Sequence, residues 1–76
     1  MNKNEVIELM HENGFSEHVE EICEHGDIRY SVSWTHVVDQ LRGPTVVSSS
    51  ATDAFLESAF KALTAVEFQL KARKLI

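Results

Sequence analysis

Four histidines, one cysteine and a set of carboxylates are the side chains here that could carry chemistry: His11, His18, His25, His36, Cys23, and the acids Glu17, Glu20, Glu21 and Glu24. Histidine with cysteine or carboxylate is the donor set of a zinc or transition-metal site. The first three histidines are seven residues apart, which aligns side chains on one continuous helix. Asn13-Gly14 interrupts that helix and removes the alignment. On a single second helix, His18 and His25 stand about 10 Å apart along the axis, too far to share one ion. His18 and Cys23 fall on different faces of it. The expectation is no metal and no cofactor, with the histidines solvated.

Catalysis is equally thin. Cys23 falls on the apolar stripe of the same segment, so it is expected to be buried and inert. A reactive thiolate wants cationic neighbours, and those of Cys23 are glutamates. Ser48, Ser49 and Ser50 have no partner histidine and aspartate at a recognisable spacing. Gly14, Gly26 and Gly43 each read as a helix stop, and none belongs to a phosphate-binding loop. No enzyme is expected. A single cysteine also excludes an internal disulfide and any zinc site built from paired cysteines.

The charge is unevenly placed. Residues 1–27 hold eight acids (Glu5, Glu8, Glu12, Glu17, Glu20, Glu21, Glu24 and Asp27) against the one base Lys3, in a chain of net charge −5. Phosphate backbones are bound by Lys and Arg, so direct nucleic-acid binding is not expected. An acidic surface attracts a basic protein surface. Glu17, Glu20, Glu21 and Glu24 are the candidate partner-binding face. No apolar run approaches the ~18 residues of a membrane span. The opening Met1-Asn2-Lys3-Asn4-Glu5 leads into a helix pattern rather than a signal peptide. With a lone thiol, this gives a cytoplasmic expectation.

The elements that must position these residues follow from periodicity. Asn2 and Glu5 have capping-box spacing, and Val6, Leu9 and Met10 form an i, i+3, i+4 stripe on a first helix. Gly14 closes it in the left-handed conformation. Ser16 is an N-cap for a second helix with Val19, Ile22 and Cys23 on its apolar stripe, and Gly26 ends it. Residues 3–25 therefore read as an αα-hairpin. Ile28, Tyr30, Val32 and Trp34 alternate with polar residues, a half-buried strand to about Ser33. Trp34, Val37, Val38 and Leu41 then predict a short helix to Arg42, stopped by Gly43-Pro44, with a β-hairpin through 34–36 as the rival reading. Thr45–Ser48 is a second short strand. Ser50 and Asp53 open a long helix free of Gly and Pro, with Glu57–Lys61 and Glu67–Lys71 as i, i+4 pairs. Leu56, Ala59, Leu63, Val66 and Leu70, widened by Phe55 and Phe60, form the face expected to cover the rest. Phe68 and Leu75 lie opposite, near Ala54, Ala65 and Ala72; together with Ile76 they are the candidate surface for self-association or a partner.

The stretch Glu8-Leu9-Met10-His11-Glu12-Asn13-Gly14-Phe15-Ser16 resembles the end of the first helix and the following loop of ubiquitin-associated domains. Asn13 stands where that family has Met or Leu. The resemblance stops there: a strand pattern follows in place of the family's third helix, and ubiquitin binding is not carried over. In size and charge the chain also resembles the small acidic inhibitors that phages use against host defences.

The chain is thus expected to be one α+β domain over residues 1–76: an N-terminal αα-hairpin, two short strands around a small helix, and a long C-terminal helix. Its expected function is non-enzymatic binding, as inhibitor or regulator of a partner with a basic surface, one form being glutamates that imitate nucleic-acid phosphates. The alternatives are a homo-oligomeric structural subunit assembled through the C-terminal helix, and a small transcription regulator reading DNA with the 34–42 helix.

Overall fold

Asn2 caps the first helix as its spacing predicts: its side chain accepts from the Glu5 backbone N–H at 2.9 Å, and α1 runs Lys3–Glu12. The structure, a computed structural model, describes residues 1–74. Gly14 ends α1 with φ +84°, and its N–H donates to the His11 carbonyl at 3.1 Å. That is the left-handed C-terminal geometry glycine adopts without steric cost. Val6 and Met10 are buried.

The second helix of the expected αα-hairpin is replaced by a strand. Phe15–Glu24 is β1, and Asp27–His36 is its antiparallel neighbour β2. The α+β class stands: an N-terminal helix, an antiparallel sheet and a long C-terminal helix. Two residues decide the difference. His25 (φ +51°) and Gly26 (φ +84°) both lie in the left-handed region, as a two-residue type I′ hairpin turn requires. Gly26 therefore turns a hairpin instead of stopping a helix. The register runs from Glu24↔Asp27 to Phe15↔His36 and sets Val19 opposite Val32 and Cys23 opposite Ile28. Such apolar cross-strand pairs stabilise a sheet face. The pleat splits the stripe that had looked helical: Val19 and Cys23 share one face, and Ile22 lies on the other.

The small helix over 34–42 is also replaced. β2 continues to His36, and β3 (Leu41–Arg42) pairs back on it through His36↔Leu41 and Thr35↔Arg42. A helix would bury Val37 and Val38 beside Trp34; both are exposed in the turn between the strands. β4 (Val46–Ser48) is the second short strand near its expected place, paired with Tyr30–Val32. β1 takes one edge of β2, and β3 and β4 share the other.

The long helix α2 is Ala51–Lys74. Ser50 Oγ accepts from the Asp53 N–H at 3.3 Å. Glu57–Lys61 (3.2 Å) and Glu67–Lys71 (3.0 Å) form as their spacing predicts. α2 packs on α1 and across β2, β3 and β4, and meets β1 only at its start, where Phe15 shares a cleft with Leu63, Val66 and Leu70. The radius of gyration is 13.3 Å, above the ~11 Å of a spherical domain this size, because the hairpin extends past the start of α2.

Trp34 sits at 0% exposure in the middle of the core. Its indole N–H donates to Ser58 Oγ at 3.0 Å, and that hydroxyl donates to the Phe55 carbonyl at 3.1 Å. Phe55 meets the indole edge-on, 6.0 Å between centroids. The face of α2 turned inward carries Ala54, Phe55, Ser58, Ala59, Ala62 and Val66. It is rotated from the expected leucine stripe: Ala54 is buried, Leu63 and Phe60 are exposed, and Leu56 and Leu70 are only partly covered. The smallest side chains mark the closest approach to the sheet. Gly43 shows how close that is: a Cβ built there would lie 2.6 Å from Ala62 Cβ. Gly43 is a contact residue and not a helix stop.

Gly43→Ala is therefore expected to destabilise the protein by about 1–3 kcal/mol through overpacking. Adding Ala62→Gly should not recover that loss, because the backbone Cα of residue 62 would still lie 2.7 Å from the new methyl, and it costs up to ~1 kcal/mol by helix propensity. Urea unfolding followed by the emission of Trp34 reads both effects. Equal midpoints for wild type and Gly43→Ala would contradict the packing described.

Candidate functional site

Among the described residues, two exposed surfaces of this fold stand out and differ in chemistry. The first is the arm made by the outer part of β1 and β2. Among the described residues β1 is an edge strand, with β2 as its only strand neighbour. Its beginning is tied to α1: the imidazole Nε2 of His11 lies 2.9 Å from the Glu17 carboxylate, and Phe15 is buried. From His18 to Arg29 every residue except half-buried Ile22 is exposed. Val19 and Ile28 are apolar residues exposed on the helix-facing side of this arm, beyond the reach of α2.

The four glutamates expected on one helical face are divided by the pleat. Glu17 and Glu21 lie on the helix-facing side with Phe15, Val19 and Cys23. Glu20 and Glu24 lie on the opposite side with Ser16, His18 and Ile22. Glu17 is half-buried, while Glu20, Glu21 and Glu24 are exposed. Glu20 is within 3.1 Å of His18. With Asp27, the arm carries five carboxylates between positions 17 and 27 and no lysine or arginine there. The acids surround a projecting strand edge instead of tiling a helix.

The histidines are spread over α1, β1, the hairpin turn and the end of β2. His36 packs edge-on against Phe15, ring centroids 5.1 Å apart. Its Nδ1 is 3.0 Å from Asp39 Oδ2 but poorly aligned, so this buried nitrogen has no hydrogen-bond partner. Arg73 approaches the same aspartate at 3.9 Å. Among the described residues, no three His, Cys, Asp or Glu side chains are grouped to hold a metal ion. Cys23, expected to be buried, is exposed near the tip of the arm. Its stripe belonged to a helix that does not form.

The second surface is the outer side of α2. Phe68 is 74% exposed, and Phe60, expected to be covered, is 72% exposed. They flank a shallow apolar groove of about 450 Å³ floored by Thr64 and Ala65 and bounded by Pro44. Phe60, Leu63 and Leu9 continue it toward α1. The sequence signal for Phe60 was present: it stands eight residues from Phe68 on the same half of the helix. Its neighbours Leu56 and Leu63 draw it to the inward stripe in the sequence pattern. Leu75 and Ile76 lie outside the described residues. Among the described residues no helix is long and apolar enough to cross a membrane.

No protein-family model, curated protein or solved structure matches the chain. The functional reading therefore rests on these two surfaces.

The placement of Cys23 is directly testable. In the folded protein it should react with a disulfide reagent such as DTNB at nearly the rate of the urea-unfolded chain, since nothing shields it. Strong protection in the native state would place it elsewhere.

Proposed function

We propose that the protein is a non-enzymatic binding module that seats its β1–β2 arm on a partner protein with a basic surface and thereby blocks or regulates that partner. The observation that supports this most is the open outer edge of β1, ringed by Glu20, Glu21, Glu24 and Asp27 and exposed from His18 onward except at half-buried Ile22. An edge strand offers unpaired backbone N–H and C=O groups that an extended segment of another chain can pair with. The side chains around the edge choose the segment. A second copy of β1 would bring glutamates against glutamates, which disfavours self-pairing. A segment rich in lysine or arginine meets complementary charge and is drawn in by it. Val19 and Ile28, exposed on the same arm, add apolar area once a partner covers them.

Charge carries the encounter in this reading, so salt and charge reversal must both weaken it. The triple variant Glu20→Lys, Glu21→Lys, Glu24→Lys should lose affinity on the order of tenfold or more for any partner isolated on the wild-type protein. The loss should appear chiefly as slower association. Raising the salt should weaken wild-type binding and leave the remnant of the variant nearly unchanged. All three positions are exposed, so Trp34 emission and the urea midpoint should stay near those of wild type. A partner held equally by both proteins, at low and high salt alike, would rule the arm out.

A further inference from the structure

We propose that the outer face of α2 is a self-complementary surface that joins two copies of this chain antiparallel, with the two-fold axis passing at Thr64. Seven exposed residues make the face: Glu57, Phe60, Lys61, Thr64, Glu67, Phe68 and Lys71. At 100° per residue all fall within about 60° of Thr64, directly away from the inward face of Ala59, Ala62 and Val66. An isologous two-fold contact between antiparallel helices places residues equally distant from the axis in one layer. Counting out from Thr64, Phe60 is then layered with Phe68 of the second copy, and Glu57 with Lys71 of the second copy. Each layer occurs twice. The contact is two phenylalanine layers closed at either end by an ion pair.

The pattern is specific for this orientation and this register. Parallel helices would layer Glu57 with Glu57 and Lys71 with Lys71. An antiparallel pair slipped by one turn separates the phenylalanines, setting Phe68 or Phe60 against Thr64. It also places Lys61 level with Lys71, or Glu57 level with Glu67, according to the direction of the slip. The centre closes without stranding a polar group, because the Thr64 hydroxyl already donates to the Phe60 carbonyl at 3.0 Å. Among the described residues nothing stands over the face: α1 and the strands pack on the other sides of the helix.

The area fits a weak dimer. Four phenylalanines, each about three-quarters exposed in the single copy, offer on the order of 500 Å². With the flanking side chains the contact approaches ~1,000 Å², the lower end of specific interfaces. Association in the micromolar range is expected, with aromatic anchors at its centre. The contact lies apart from the β1–β2 arm. Reversing the charges of Glu20, Glu21 and Glu24 should leave it unchanged, so failure of one reading is visible without the other.

Sedimentation equilibrium from low micromolar to near-millimolar protein should give a monomer–dimer equilibrium. Phe68→Glu should abolish it without altering the urea midpoint. The decisive arm uses charge. Glu57→Lys and Lys71→Glu should each associate several-fold more weakly than wild type when alone. An equimolar mixture of the two should recover association, because both end layers are again opposite in sign. A monomer at the highest concentration would overturn the proposal, as would a dimer indifferent to Phe68→Glu or a mixture that recovers nothing. A monomer that instead gathers on phosphatidylcholine vesicles through Phe60 and Phe68 would also overturn it, by assigning the face to lipid.

Discussion

The indole N–H of Trp34 is a polar group at the centre of a very small core, and the whole arrangement answers to it. A donor buried there without a partner would cost about 1–3 kcal/mol, a large share of the stability of so short a chain. Ser58 supplies the acceptor at 3.0 Å and passes its own proton to the Phe55 carbonyl. This chain of two bonds fixes the rotation of α2 over β2. With Ser58 turned to the sheet, Ala54, Ala62 and Val66 must follow it, and helical periodicity carries Phe60, Thr64 and Phe68 outward. The exposed aromatic face is a consequence of satisfying one buried donor. Gly43 is part of the same constraint, since the helix can sit close enough for the serine to reach only where the strand connection has no side chain.

Core size explains the arm. One helix of α2's width covers β2 and the short strands beside it, and α1 covers the start of β1. Among the described residues, none covers the far half of the hairpin. Its turn and its cross-strand pairs hold it together, and its carboxylates keep the bare edge from pairing with another copy of itself. The two uncovered surfaces therefore have opposite rules. In the readings proposed above, the arm repels its own kind and accepts positive charge, while the outer face of α2 is matched to its own image. A dimer through α2 would present two acidic arms on one particle, a bivalent arrangement that raises the effective concentration at a partner with two basic sites.

Much of the fold was legible along the chain. Asn2, Gly14 and Ser50 mark helix ends through local hydrogen bonds that need no distant contact. The i, i+4 ion pairs of α2, the period-2 run through Ile28 to Trp34 and the α+β class are equally local properties. The hairpin was not legible for a physical reason. Val19, Ile22 and Cys23 have helical spacing by coincidence, and β1 lacks clean alternation because neither of its faces is fully buried over its outer half. Its strand character comes from β2, whose partner residues lie three to twenty-one positions away, and from a His25-Gly26 turn that is as acceptable at a helix end as in a hairpin. The candidate glutamates kept their exposure and lost their common face. The candidate Phe68 is exposed, and its expected companions Leu75 and Ile76 lie outside the described residues.

The sequence by itself determined the composition of the two surfaces: an acid-rich first third, and a terminal helix with aromatics and paired charges on a side its caps and alanines do not need. These depend on residue identity and on the fixed 100° step of a helix. Tertiary structure alone decided which residues are seen from outside. Backbone pairing with β2 overrode the helical spacing of residues 16–25, because ladder hydrogen bonds and cross-strand contacts outweigh propensities of a few tenths of a kcal/mol per residue. The hydrogen bond from Trp34 to Ser58 then set the rotation of α2, a choice that no local pattern in the helix encodes.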